Sequence, residues 1–280
     1  MSVGTDQQVT GIGTAPNTEF NHIITQKYPN HTIIYIDESK IPDAPSLGAS
    51  CVTPSLHHIQ TLSLNNLASI FTAESAALDM ALDLIISKNC LKTLICTYSL
   101  SVLQAINGKT FNKYANQYII EIKKKLFQLT HNSSSSHTIT IMWIPSHVGI
   151  TGNEAADTAA KEATNSTSNT EDNLPLPDAL SHLREEIWQH TLQKWMTDSA
   201  TKGTIYFNTF FEPVKTPGFQ KHRLPRFITS WVTRYRSNHY NLAASLARTG
   251  IPKDSKCWCG HPEQMFNHCD VPCVDGRESH

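Results

Sequence analysis

The hydrophobic pattern of the first half of the chain changes from short strand-like runs to longer helical stripes. The β-branched and aromatic run 31–37 and the pieces 47–52 and 56–64, separated by proline-containing turns, predict an antiparallel meander of three strands. Apolar positions at helical spacing then predict a helix over 72–89. Further strands are predicted at 91–96 and 138–144, and further helices at 99–106, 114–129 and 153–163. The order βββαβααβα predicts a mixed α/β domain.

The rest of the chain lacks this pattern. Residues 1–30 are polar and weakly periodic, so no fold is predicted for them. The stretch 164–178 is rich in Ser, Thr, Asn and Pro, which is typical of a linker. Helical patterns at 180–197 and 227–248 predict a second, α-helical module. The predicted organisation is therefore a tail 1–30, an α/β domain 31–163, a linker 164–178, a basic helical region 179–256 and a cysteine-rich segment 257–273.

Composition narrows the class of protein. With 280 residues, 39% of them hydrophobic and 17% charged, the chain is expected to fold. A net charge of -1 gives no indication of nucleic-acid binding, so local charge has to decide that question. No run approaches the roughly 18 apolar residues of a membrane helix, and the polar start lacks the apolar core of a signal peptide. The sequence predicts a cytoplasmic or nuclear protein that is neither secreted nor membrane-embedded.

Polar side chains interrupt the apolar pattern at four places, each at the end of a strand or the start of a helix. These are Asp37, Glu74, the pair Tyr98 and Ser99, and the stretch 147–157. In α/β folds such positions tend to form sites. Taken singly, Asp37 is more typical of a turn residue, and Glu74 of a carboxylate that complements a helix N-terminus.

The motifs around these positions resemble those of a known protein family. YIDESK, FTAESAAL, TYSLSVLQAI and WIPSHVGITGNEAADTAAKEA occur in this order. Together they resemble the type 1 ribonuclease H domain of non-long-terminal-repeat retrotransposons, over about residues 31–163. The resemblance implies a five-stranded mixed sheet, three antiparallel strands followed by parallel ones, with flanking helices. It also implies cleavage of the RNA strand of RNA–DNA hybrids by two divalent ions held by four carboxylates.

The resemblance assigns metal ligands residue by residue. Asp37 would bridge two Mg²⁺ or Mn²⁺ ions, Glu74 would hold one of them, and Asp157 would hold the other. Hard cations of this kind prefer carboxylate oxygens. Two such ions about 3.5 to 4 Å apart activate water and neutralise the leaving oxygen in phosphodiester hydrolysis.

Three further residues receive roles from the same resemblance. His147, ten positions before Asp157 in a Pro-Ser-His-Val-Gly loop, would assist proton transfer or product release. The alternative for His147 is a solvated loop histidine. Ser99 and Asn153 would contact the nucleic acid.

Two positions depart from the family pattern. Tyr98 occupies the position of the third carboxylate, and a tyrosine with a pKa of about 10 is neutral at pH 7. Loss of a carboxylate is expected to weaken metal binding or turnover by at least roughly 100-fold. Glu38 occupies a glycine position, and because side chains alternate along a strand it is expected to point away from Asp37.

The second module is locally basic. Residues 215–256 carry nine Lys and Arg against one acid, a net charge of +8. Aromatic residues interleave with these charges, a combination typical of nucleic-acid binding by phosphate neutralisation and base stacking. The alternative is a solvated basic helix with an aromatic core face. The aromatic residues are Phe219, Phe227, Trp231, Tyr235 and Tyr240, and the arginines expected to contact nucleic acid are Arg223, Arg226, Arg234 and Arg236.

Four of the seven cysteines lie close together after this region, in a chain that does not resemble a disulfide framework. Cys257, Cys259, His268 and Cys273 are predicted to surround one structural Zn²⁺, and the segment resembles the Cys-His knuckle of the same retroelements. Cys269 and His261 are competing ligands. The alternative is a set of free buried cysteines.

Three functions remain open from the sequence. The first is an RNA–DNA hybrid ribonuclease that Tyr98 impairs, the second is an inactive nucleic-acid-binding module, and the third is a retroelement relic. The 30 residues before the first strand are too few for a reverse transcriptase, which favours a fragment of a once larger polyprotein. The oligomeric state is left open.

Overall fold

The fold is described by a computed structural model that covers residues 16–108, 115–131, 137–166, 174–216, 222–237, 239, 241–251, 254–265 and 268. The chain divides into two compact units, Met1–Leu183 and Arg184–His280. Each unit is described separately below.

The first unit is built on a five-stranded sheet of order β3-β2-β1-β4-β5. The strands β1, β2 and β3 pair antiparallel, whereas β1 with β4 and β4 with β5 pair parallel. Their bounds are Thr32–Ser39 for β1, Ser46–Thr53 for β2, His58–Asn65 for β3, Lys92–Thr97 for β4 and Thr138–Trp143 for β5. The predicted mixed sheet, three antiparallel strands followed by parallel ones, is confirmed.

Helices cover both faces of this sheet. Their bounds are Pro16–Lys27 for α1, Ile70–Lys88 for α2, Leu100–Asn107 for α3, Gln117–His131 for α4 and Thr151–Ala163 for α5. The buried side chains of Ile34, Ile36 and Ile95 form one core with α2, α3 and α4. Tyr35 and Cys96, one position along each strand, form a second core with α1 and α5. Because successive side chains of β1 and β4 point to opposite faces of the sheet, each strand contributes to two separate hydrophobic cores.

Helix α5 lies unusually close to the sheet, and glycine makes this possible. A Cβ at Gly48 would lie 2.0 Å from the carbonyl oxygen of Ala160, and a Cβ at Gly152 would lie 2.1 Å from the ring of Tyr35. The hydroxyl of Ser50 donates to the carbonyl of Ala156 at 2.7 Å, which fixes the helix along β2. This close contact brings the first two turns of α5 against the end of β1.

The structure differs from the sequence expectations at the ends of the α/β domain. Helix α1 lies inside the predicted tail, and its Phe20 is 1% exposed and packs against Tyr35 at 6.2 Å between ring centroids. Helix α2 begins at Ile70, two residues before the predicted start, because Ser69 caps it by accepting from the backbone N–H of Thr72.

A sixth helix, α6, spans Leu176–Asp198 and begins inside the predicted linker, of which residues 167–173 lie outside the described residues. Near its start, Asp178 is buried and accepts hydrogen bonds from the N–H of Ser69 at 3.0 Å and from the hydroxyl of Thr72 at 2.6 Å. A carboxylate in this place complements the partial positive charge of the α2 N-terminus. The start of α6 is thereby joined to the helix that carries Glu74.

The second unit is helical within its described residues. After α6 come α7 at Thr204–Thr209, α8 at Arg226–Arg236 and α9 at Ala243–Ala247, so the predicted helix 227–248 is two helices. Within this unit Trp195 and Phe207 pack against Phe211. Among the described helices of the whole chain, none combines the length and the apolar character that crossing a bilayer requires.

Candidate active site

Asp37 lies near the carboxyl end of β1, paired in register with Ser50 of β2 and 4% exposed. Its Oδ1 accepts from the backbone N–H of Glu38 at 2.8 Å, and Asn153 of α5 donates to its Oδ2 at 3.4 Å. Burial raises the pKa of Asp37 to about 7, and the nearby charge of Asp157 adds to this rise. The carboxylate is thus held in a place that disfavours its negative charge.

Glu74 approaches the same region from α2. The hydroxyl of Ser99 donates to its Oε2 at 2.6 Å, and Ser101 lies 3.4 Å from the same oxygen. Burial raises the pKa of Glu74 above its usual range. The resemblance assigns Ser99 to nucleic-acid binding. In the structure the Ser99 hydroxyl also caps α3 by accepting from the backbone N–H of Val102. The described hydrogen bonds of this hydroxyl are therefore with other residues of the protein.

Tyr98 stands between these two carboxylates, directly after β4. Its hydroxyl donates to Oε2 of Glu38. The same hydroxyl is close enough to Asp37 to lower the pKa of that carboxyl, against the larger effect of burial. The indole N–H of Trp143 donates to the carbonyl of Tyr98 at 2.8 Å and fixes the backbone there. Burial raises the pKa of Tyr98 further above 10, so the phenol remains a neutral donor.

Glu38 points away from Asp37 along the strand, as expected, but its carboxylate still lies near other acidic side chains. Strand alternation does place Glu38 on the face opposite to Asp37, but α2 packs on that face and carries Glu74. The Glu38 carboxylate reaches the hydroxyl of Tyr98, and its pKa is raised to about 7 by burial and by the charges of Glu74 and Asp37. The alternation rule alone could not show this, because it gives the direction of a side chain and not its reach.

Asp157 lies on α5, close to the side chains of His147 and Glu154. The ligand atoms of His147, Glu154 and Asp157 all lie within 4.8 Å of one another. Lys161, one helical turn further on, places its Nζ 2.5 Å from Oδ2 of Asp157. His147 is exposed and has a positive φ of 54°. Glu154 was not singled out in the sequence, although its spacing of three from Asp157 puts both on one helical face.

The structure therefore brings Asp37, Glu74 and Asp157 to one end of the sheet. Asp37 and Asp157 interact electrostatically, and Tyr98 interacts with both Asp37 and Glu74. The donor set fits a hard divalent cation, because it consists of carboxylate oxygens, of which only those of Asp157 are paired directly with a lysine among the described residues. A further observation agrees with this fit: Oδ1 of Asn153 is buried and has no hydrogen-bond partner among the described residues.

Comparison with known proteins finds a similarity for the part of the chain that carries this site. Residues 29–165 match the model of the RNase H family. This stretch, called the RNase H domain below, is thus similar to that family over 137 of the 280 residues of the chain. The match covers the five strands and the helices α2 to α5, which is the part of the chain that carries the site. A search of curated proteins finds no significant match.

Outside the RNase H domain, a second group of possible metal ligands lies near the C-terminus. Ligand atoms of Cys257, Cys259 and His268 all lie within 4.8 Å of one another, with Cys259 Sγ 3.1 Å from Nε2 of His268. His261 stacks on His268 at 4.1 Å between ring centroids, and its Nδ1 lies 2.8 Å from the carbonyl oxygen of Glu263. Cys273, the fourth predicted ligand, and Cys269 lie outside the described residues.

The arginines predicted to contact nucleic acid differ in their surroundings. Arg223, Arg226 and Arg234 are exposed. The side chain of Arg236 is 12% exposed; it donates to the carbonyl of Phe210 and lies over the ring of Tyr206 at 5.6 Å. Arg236 therefore contributes to packing within the second unit, whereas the side chains of Arg223, Arg226 and Arg234 are exposed.

Proposed function

We propose that the RNase H domain hydrolyses the RNA strand of RNA–DNA hybrids by endonucleolytic cleavage. The observation that carries this proposal is the convergence of Asp37, Glu74 and Asp157 within a domain that matches the RNase H family. Asp37, Glu74 and Asp157 would hold Mg²⁺ or Mn²⁺. Bound ions would supply the activation of water and the neutralisation of the leaving 3′-oxygen.

The residues of this chain then have separate roles. Asp37 and Glu74 are partly desolvated carboxyl groups with raised pKa values, so a bound cation would stabilise their charged forms. His147 places an exposed imidazole within 4.8 Å of the carboxylates of Glu154 and Asp157, a position suited to moving a proton. The contact of Asn153 with the nucleic acid rests on the motif resemblance, because in the structure its side chain is buried and donates to Asp37.

Tyr98 is proposed to make this hydrolysis slow. A protonated phenol adds no negative charge, and its single hydrogen is donated to Oε2 of Glu38. The same observation favours a second candidate function, in which the domain binds nucleic acid without cleaving it. An origin in a retrotransposon, as an active protein or as a relic, belongs to this proposal as well and is supported by the motif resemblance alone.

The second unit is proposed to add nucleic-acid affinity. On α8 the exposed residues Arg226, Phe227, Trp231 and Arg234 fall on one side at helical spacing, with Phe227 74% and Trp231 63% exposed. Exposed aromatic rings beside arginines suit base stacking and phosphate neutralisation. A structural Zn²⁺ held by Cys257, Cys259 and His268, with Cys273 as the expected fourth ligand, would organise the segment that follows.

The test is a cleavage assay with the full chain and a labelled RNA–DNA hybrid in Mg²⁺ and in Mn²⁺. We expect slow cleavage of the RNA strand only, and its complete loss in Asp37→Asn. Double-stranded DNA and double-stranded RNA serve as substrate controls. Cleavage that survives Asp37→Asn would refute the site, whereas binding of the hybrid without any cleavage would favour the second candidate.

A further inference from the structure

Asp178 is a buried carboxylate that lies beyond the residues matching the RNase H family, 29–165. It is 8% exposed. Its Oδ2 accepts from the backbone N–H of Ser69 at 3.0 Å and from the hydroxyl of Thr72 at 2.6 Å. A carboxylate removed from water depends on such donors, and here both belong to the start of α2. Asp178 therefore binds the first turn of one particular helix of the RNase H domain.

The residues just before Asp178 hold it in this place. Leu174 packs against the hydrophobic core that contains Leu78 and Leu82 of α2. Pro175 is buried, and its carbonyl accepts from the backbone N–H of Asp178 at 2.9 Å, where α6 begins. Residues 174–178, called the docking segment below, thus contact the rest of the first unit through apolar packing as well as through hydrogen bonds.

The Thr72 hydroxyl connects Asp178 to a third helix. It donates its only hydrogen to Asp178 and accepts from the side-chain amide of Asn116 at 2.6 Å. The Asn116 amide oxygen in turn accepts from the backbone N–H of Tyr118 at 3.0 Å, in the first turn of α4. Thr72 is fully buried and Asn116 is 5% exposed. The first turns of α2, α4 and α6 therefore meet at one buried hydroxyl, which has no water to replace a lost partner.

Glu74 follows Thr72 by two residues on the same helix, so its backbone position depends on this first turn. The tip of its side chain is fixed separately, because the Ser99 hydroxyl donates to Oε2 at 2.6 Å. The first N–H groups of a helix lack partners within the helix, and the turn frays unless other groups accept from them. Ser69 accepts from the N–H of Thr72, and Asp178 accepts from the N–H of Ser69. The contacts of Asp178 thus stabilise the turn from which Glu74 extends.

We propose that Asp178 is a positioning residue for Glu74. Through its hydrogen bonds to Ser69 and Thr72 it fixes the first turn of α2, and with it the place from which Glu74 reaches the cation site. The inference rests on the proposed function and deepens it: a residue outside the RNase H domain takes part in shaping the site of that domain.

The test measures cation binding by the full chain without substrate. Mn²⁺ is titrated and followed by calorimetry, and amide hydrogen exchange in metal-free buffer is followed by mass spectrometry. We expect Asp178→Ala to weaken Mn²⁺ binding by about fivefold and to speed exchange at the start of α2 by a similar factor, the size of effect that loss of a helix cap has. Asp37→Asn, which removes a proposed ligand, should weaken Mn²⁺ binding at least as much.

The matched control destabilises the same helix at its other end. Asn89 caps the C-terminus of α2 with a positive φ of 52°, a conformation that alanine adopts less readily. Asn89→Ala should therefore lower the melting temperature while leaving the Mn²⁺ affinity unchanged. An equal loss of Mn²⁺ affinity in Asn89→Ala and Asp178→Ala would overturn the proposal, because the affinity would then follow the general stability of α2.

Conservative variants separate positioning from packing. Asp178→Asn keeps a carbonyl oxygen that can accept both hydrogen bonds, so we expect its Mn²⁺ affinity to stay within about twofold of the unmodified chain. Thr72→Val keeps the shape of the side chain but removes the hydroxyl, and it should reproduce the loss in Asp178→Ala even if the latter does not fold. Because the two residues share one contact, combining Thr72→Val with Asp178→Ala should add little.

The outcomes distinguish this proposal from the proposed function. Folded Asp178→Ala and Thr72→Val proteins with unchanged Mn²⁺ affinity, beside a loss in Asp37→Asn, would overturn the role of Asp178 and leave the cation site intact. A loss in Asp178→Asn as large as in Asp178→Ala would also overturn positioning by these hydrogen bonds. Unchanged affinity in Asp37→Asn as well would refute the cation site and the proposed function together.

Discussion

At the scale of single residues, the site shows which features of a sequence predict chemistry and which do not. Asp37, Glu74 and Asp157 are marked by motifs, and the structure brings them to one end of the sheet. The contact between Glu38 and Tyr98 is not predicted, because it depends on the length of the Glu38 side chain and not on its direction alone. Arg236 is grouped with the other arginines by sequence, but only the fold shows its packing against Phe210.

The buried charge of Asp37 has a consequence for stability. Because its pKa of about 7 lies above the usual value of 3.8, the folded state favours the protonated form. Its contribution to stability is therefore present at low pH and is lost as pH rises from about 4 to about 7. In buffer without divalent cations we expect Asp37→Asn to stabilise the folded chain by about 1–2 kcal/mol at pH 8 and to give little gain at pH 4.

Chemical denaturation of the two proteins at both pH values provides this measurement. Asp43→Asn, a change at an exposed aspartate in the loop after β1, is the control and should show no such pH-dependent gain. A gain of equal size at pH 4 and pH 8 would contradict the argument from charge.

At the scale of helices and strands, periodicity predicted the βββαβααβα order but not the ends. Helix α1 was not predicted because it contains few apolar residues. Its Phe20 is buried only through contacts with the folded sheet. The start of α2 depends on the Ser69 cap, and α6 begins early because Asp178 docks onto α2. The contact between Asp178 and Ser69 joins residues 109 positions apart, so no local sequence pattern could predict it.

The contact between α5 and the sheet predicts the effect of a small substitution. A Cβ at Gly48 would meet the backbone oxygen of Ala160 at 2.0 Å, and that oxygen belongs to a helix that cannot rotate away. We expect Gly48→Ala to destabilise the folded state by about 1–3 kcal/mol and to lower cleavage, since α5 carries Asp157. Gly108→Ala, whose Cβ would have no contact shorter than 3.4 Å, is the control. Equal stability of the two variants in urea would show that α5 is not held this tightly.

At the scale of the whole molecule, the chain combines an RNase H domain with a second compact unit that the sequence predicted only in outline. Its basic character and its cysteine spacing were visible, but the break between α8 and α9 was not. The apolar pattern of this region, with the exposed rings of Phe227 and Trp231, does not define a single buried face. The expected linker is also shorter than its composition indicated, because α6 begins at Leu176.

The cysteine segment predicts a metal-dependent local fold. If Cys257, Cys259 and His268 bind Zn²⁺, most of the folding free energy of this segment comes from the metal, since it contains few apolar residues. We expect one zinc per chain by elemental analysis and its loss in Cys257→Ser, with the melting transition of the RNase H domain retained. Cys51→Ser, at a buried cysteine of β2, tests specificity and should keep the zinc. A full zinc content in Cys257→Ser would exclude this ligand set.

The basic face of α8 predicts that the affinity of the chain for nucleic acid depends on the salt concentration. If Arg226 contacts phosphate, Arg226→Gln should weaken binding of single strands at every sequence and reduce the slope of log affinity against log salt by about 1. Arg236→Gln should instead destabilise the second unit, because its side chain is packed within it. Fluorescence anisotropy between low and high salt measures both. An affinity that does not change with salt would rule out phosphate contacts.

The central claim, that this is an RNase H site held back by Tyr98, is tested most directly by single-turnover cleavage of a hybrid by Tyr98→Asp. The substitution removes the hydroxyl from Asp37 and Glu38 and adds a carboxylate. The account predicts RNA-strand cleavage faster than in the unmodified chain by roughly 100-fold, and its abolition when Asp37→Asn is combined with it. A folded Tyr98→Asp protein that cleaves no faster than the unmodified chain, or that still cleaves after Asp37→Asn, would contradict it.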